Sequence, residues 1–76
     1  MNKKDKAKIK TLSGNIETLK TEFESIWDQE EDKLHNLPDS LADSEIAENL
    51  QDGIYSLEEI IDRLNDILDI INVSIL

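Results

Sequence analysis

The sequence predicts an all-α fold: an antiparallel two-helix hairpin, coiled-coil-like, completed as a four-helix bundle by oligomerisation. Three observations carry this expectation. Two long runs of apolar residues repeat at alternating spacings of three and four, which is one stripe along a helix in each run. The single proline lies between them, at Pro38. The chain of 76 residues has no cysteine for a disulfide, and a domain this short buries only about 60% of its unfolded surface, so association is its remaining route to stability. At 38% the apolar content is too high for a disordered chain, and 21 of the apolar residues are Ile or Leu.

Residues 1–10 form a basic arm. Lys3, Lys4, Lys6, Lys8 and Lys10 against Asp5 give it a charge of +4. Residues 11–76 form the hairpin domain, with 3 basic and 17 acidic residues and a charge of −14, so the whole chain carries −10. Helix one is expected over about 4–35, with the stripe Ile9, Leu12, Ile16, Leu19, Phe23 and Ile26. Trp27 and Leu34 widen that stripe on one flank. Gly14 interrupts it at a cost of about 1 kcal/mol relative to Ala. Lys33 and His35 suit the negative end of the helix dipole, Asn36 is the expected C-cap, and Leu37-Pro38 stops the helix because the residue before proline avoids the α region.

Residues 36–43 read as a bend with room for one short helical turn. Asp43 or Ser44 can cap helix two, and Glu45 and Glu48 place negative charge in its first turn. Helix two is expected over about 44–73. Its stripe runs Ala47, Leu50, Ile54, Leu57, Ile61, Leu64, Leu68, Ile71, Ile75. Ile46, Ile60 and Ile67 form a second row beside it.

A short bend makes the helices antiparallel, so facing residues have a constant index sum. Pairing Ile26 with Ile54, Phe23 with Leu57, Leu19 with Ile61, Ile16 with Leu64, Leu12 with Leu68 and Ile9 with Ile71 holds that sum at 80. This register sets the lysine arm beside Asp62, Asp66 and Asp69. A hairpin has only one seam, and the apolar residues outside it mark an interface. Trp27, Leu34, Ile46, Ile60, Ile67 and Ile70 are therefore expected to meet another copy, as a homodimer or higher oligomer.

Many activities lack their residues. Without cysteine there is no thiolate zinc site and no cysteine nucleophile. No apolar run approaches the ~18 residues of a membrane span. The charged N-terminus has no apolar h-region, so no secretory leader is expected and the bacterial cytoplasm is the expected location. The two glycines, Gly14 and Gly53, are isolated and form no phosphate loop. Asp32-Lys33-Leu34-His35 has the spacing of half a di-metal motif, but it sits beside the bend and is read as a solvated helix end. No catalytic residue, metal or cofactor is expected, and the chain is not expected to be an enzyme. Direct nucleic-acid or membrane binding is not expected either, because the body at −14 repels polyanions. Asp28, Glu31, Asp62, Asp66 and Asp69 are the candidate partner-binding residues, as carboxylates able to imitate DNA phosphates toward a basic protein.

The bend Asn36-Leu37-Pro38-Asp39-Ser40-Leu41, with Ser44 and Glu45, followed by a Leu/Ile heptad helix, resembles a group of small acidic helical-hairpin proteins of bacterial and phage genomes. In these a charged helix ends in an N-[LM]-P-[ED]-S-L-x-x-S-E bend. The resemblance spans roughly residues 16–72 and implies the hairpin; no binding residue carries over from it. Small acidic phage proteins include anti-CRISPRs and other inhibitors of host defence. The expected function is therefore a protein-binding module, a phage or prophage accessory protein that inhibits a bacterial defence effector. The alternatives are a sponge that holds a nucleotide signal between subunits and a structural coiled-coil assembly component.

Overall fold

The computed structural model describes all residues, Met1–Leu76, and consists of two helices that pack against each other. Helix α1 spans Lys3–His35 and helix α2 spans Glu45–Ser74, joined by a 3₁₀ turn at Asp39–Leu41. The hairpin is a rod of 59 × 15 × 13 Å. Its radius of gyration is 17.3 Å, against about 11 Å for a compact chain of this length.

Each helix end has a local cause. The Asn2 side chain accepts a hydrogen bond from the Asp5 N–H at 2.8 Å and starts α1. Asn36 ends it, its N–H donating to the Asp32 carbonyl at 3.0 Å. Pro38 cannot continue the helix, and its carbonyl instead accepts from the Leu41 N–H at 2.8 Å, closing the 3₁₀ turn. Of the two candidate caps for α2, Ser44 takes the role. Its hydroxyl accepts from the Ala47 N–H at 3.4 Å while donating to the Leu41 carbonyl at 2.6 Å, which ties the turn to the new helix. Gly14 leaves α1 unbroken.

The seam on α2 is the expected stripe, with Ala47, Ile54 and Leu68 buried and the rest of the row half-buried. On α1 the seam lies elsewhere. Ile9, Ile16 and Phe23 face α2, but their partners are Ser13, Lys20, Trp27 and Leu34, all buried or half-buried. Leu12, Leu19 and Ile26 remain 44–50% exposed. The expected register is corrected along with the rotation. Lys20 bonds Asn65 and Trp27 bonds Glu58, and both pairs have indices that sum to 85 rather than 80. The helices are offset by about 7 Å from the even alignment, a little over one turn.

The row chosen has a physical logic. It contains Trp27, the largest apolar side chain, and Ser13, small enough to let α2 approach near Leu68 and Ile71. Lys20 lays its methylene stem in the seam and keeps its ammonium at the rim. The offset also moves the basic arm. Ile9 is level with the last residues of α2, so Lys3 to Lys8 overhang its end. No lysine of the arm forms an ion pair; every ion pair joins residues three or four apart on one helix. The expected contact between the arm and Asp62, Asp66 and Asp69 is therefore absent.

Two substitutions measure this packing by thermal denaturation followed by circular dichroism. Ile54 is fully buried, so Ile54→Ala should cost about 2–4 kcal/mol and leave little folded protein. A Cβ at Gly14 meets nothing within 4 Å, so Gly14→Ala should stabilise the hairpin by about 1 kcal/mol, a rise of several degrees in Tm.

Candidate functional site

The two inter-helix side-chain bonds fall on one edge of the seam. Trp27 Nε1 donates to Glu58 Oε1 at 3.1 Å, and Lys20 Nζ donates to Asn65 Oδ1 at 3.0 Å. Because the helices are antiparallel, the rows beyond these residues form one continuous face. Glu17, Glu24 and Glu31 lie on its α1 side at heptad spacing; Glu48, Tyr55, Asp62 and Asp69 lie on its α2 side at the same spacing.

At the centre of this face Glu24, Trp27, Asp28, Glu58, Ile61 and Asp62 line a shallow groove of about 370 Å³. The indole forms an apolar wall, and four carboxylates surround it. Glu58 is held in place by the indole N–H, while Glu24, Asp28 and Asp62 are exposed and form no ion pair. A cationic side chain seated there would meet a ring face and carboxylates together, the combination that favours ammonium and guanidinium groups.

Of the candidate partner-binding residues, the structure brings Asp28 and Asp62 together in this groove. Glu31 lies one heptad beyond Glu24 on the same side, near His35 Nε2 at 3.7 Å. Asp69 lies one heptad beyond Asp62. Asp66 is exposed outside the groove, close enough to Arg63 for its charge to be felt there. Glu24 and Glu58, which complete the groove, lie outside the acidic run at Asp28–Asp32. Their signal was Trp27, set three residues after Glu24 and, once the register is known, level with Glu58.

The candidate interface residues separate. Trp27 and Leu34 are half-buried on the acidic side of the seam. Ile46, Ile60 and Ile67 emerge on the opposite side, 37–53% exposed. There they join Leu12, Leu19 and Ile26 of α1, because the rows opposite the inter-helix bonds also meet. Ile70 is exposed one row further out from Ile67. The hairpin is thus acidic on one face and apolar on the other.

His35 and Asp32 are both exposed at the end of α1, and no group of three His, Asp or Glu residues is placed to hold a metal ion. Arg63 is pushed further above its ordinary range, first by its hydrogen bond to Glu59 at 2.8 Å and then by that carboxylate's charge. It stays cationic throughout the working range of pH. No helix is long and apolar enough to cross a membrane. No protein-family model, curated protein or solved structure matches the chain.

Proposed function

We propose that the chain is a non-enzymatic protein-binding module whose acidic face docks on a basic, nucleic-acid-binding protein. The single observation behind this reading is the groove at Trp27, where Glu24, Asp28, Glu58 and Asp62 converge around an indole. Trp is favoured as a binding anchor when its ring is ringed by polar contacts that exclude water. Carboxylates at heptad spacing along a rod repeat about every 10 Å. Such a row offers a basic cleft the charge of a nucleic-acid backbone without its chemistry. Charge complementarity of this kind speeds encounter and excludes acidic partners.

The resemblance of the bend to small acidic proteins of bacterial and phage genomes supplies the setting. In that setting the partner is a bacterial defence effector, and docking blocks its nucleic-acid cleft. The effect is inhibition by occupancy, with no bond made or broken.

Two measurements test this. Expressed in a bacterium whose nucleic-acid-targeting defence restricts a phage, the protein should restore plaque formation. The triple variant Asp28→Asn, Asp62→Asn, Asp69→Asn should keep its helicity and lose that effect. With the purified effector, affinity should fall on the order of tenfold or more between low and physiological salt, because exposed charges beyond a Debye length are screened. Salt-independent binding, or full activity of the triple variant, would contradict the reading.

A further inference from the structure

The face opposite the acidic groove has no cover within one chain. Leu12, Leu19 and Ile26 on α1, and Ile46, Ile60 and Ile67 on α2, emerge there together. We propose that a second copy of this chain covers this face, with both bends at the same end, so that each α1 packs against the partner's α2 in a four-helix bundle. This inference does not depend on what binds the acidic face.

The area fits. The hairpin exposes 5789 Å², whereas a compact monomer of its mass exposes about 4,700 Å². The excess of about 1,000 Å² is close to the ~800 Å² that each partner loses in a standard-size interface. The spacing fits as well. Leu12, Leu19 and Ile26 recur every seven residues, as do Ile60 and Ile67, with Gly53 separating them from Ile46 in the same row; seven is the period at which one helix meets a second neighbour across a bundle.

The register and the charged rim together select the arrangement. With both bends at one end, the twofold axis runs along the bundle, and residues of α1 are level with the same α2 positions in the partner as in their own chain. Ile26 then meets the partner's Ile60, and Leu19 meets the partner's Ile67. With the bends at opposite ends, α1 would stack on α1. Leu19 would then face the partner's Ile26, and Ile60 the partner's Ile67, so the apolar rows alone do not choose. The charges beside them do, because Glu22 would then lie against the partner's Glu22 and Arg63 against the partner's Arg63.

The rim adds charge complementarity. Although the chain carries −10, the row bordering the face on α1 is Lys8, Asn15, Glu22, Gln29, Asn36, with one carboxylate. The row bordering it on α2 is Asn49, Ser56, Arg63, Ile70, with none, and it holds the only arginine of the chain. Glu22 is level with the partner's Arg63, whose guanidinium also bonds Glu59 of its own helix at 2.8 Å and would be shared between the two carboxylates, and Gln29 is level with the partner's Ser56. The acidic faces point away from each other.

Sedimentation equilibrium tests the pairing, with helicity checked by circular dichroism. The wild type should be a dimer in the micromolar range. Glu22→Arg and Arg63→Glu should each weaken association about tenfold or more, and the two combined should restore it. Since the chain has no cysteine of its own, a short bis-maleimide linker can report the neighbours directly. A mixture of Gln29→Cys and Ser56→Cys chains should give a cross-linked dimer, and neither chain alone should. A monomer at all concentrations, a charge swap that restores nothing, or cross-linking of Gln29→Cys chains alone would overturn the proposal.

Discussion

A two-helix hairpin has one seam, and a seam covers only about two adjacent rows on each helix. Everything else in this molecule follows from that limit. Both helices carry more apolar rows than one seam can use. Helix α2 has the row of Ile54 and Leu68, the row of Leu57 and Leu64, and the row of Ile60 and Ile67. Helix α1 has Ile16 and Phe23 flanked on one side by Leu12, Leu19 and Ile26 and on the other by Trp27 and Leu34. The hairpin resolves the competition by turning α1 toward Trp27. The result is a thin core in which only Ala47, Ile54 and Leu68 are buried apolar residues, with Leu12, Leu19 and Ile26 on α1 and Ile46, Ile60 and Ile67 on α2 left facing outward.

That rotation also organises the charge. Turning Trp27 into the seam brings Lys20 and Trp27 to the edge where Asn65 and Glu58 wait, and the rows beyond them on that side are rich in carboxylates. The opposite edge is bordered by amides, hydroxyls, Glu22 and Arg63. A strongly acidic chain thereby concentrates its repulsion on one face and leaves the other nearly neutral. The two faces are suited to different contacts. One attracts cations and weakens with salt; the other is driven by apolar burial and should, if anything, tighten as salt screens the net charge.

The elements themselves were legible in the sequence. The alternating three and four spacings, Asn36 and Pro38 at the bend, and Ser44 ahead of Glu45 place both helices to within a residue or two at each end. On α2 the pattern and the seam agree because only one stripe of alternating three and four spacings is apolar from end to end. On α1 the seam departs from the apolar pattern for a specific reason. The row Ser13, Lys20, Trp27, Leu34 looks half polar in a one-letter string, yet Ser13 is small and Lys20 has a long apolar stem, so the row packs. A stripe of six aliphatic and aromatic residues outscored it on paper, although it lacked the largest side chain. The index sum of 80 inherited that error, because any two heptad stripes align at several registers one turn apart. The groove at Trp27 was hidden for the same reason: Glu24 and Glu58 become neighbours only when the register is fixed.

The rotated seam and the covered apolar face can be observed in one measurement. In a sample mixed from isotope-labelled and unlabelled chains, filtered nuclear Overhauser spectra report only contacts between chains. The Ile26 methyls of one chain should show contacts to the partner's Ile60, while Phe23 contacts Ile61 of its own chain. Contacts from Ile26 to Ile54 within one chain, with no signal between chains, would place Leu12, Leu19 and Ile26 back in the seam and contradict both the rotation and the bundle.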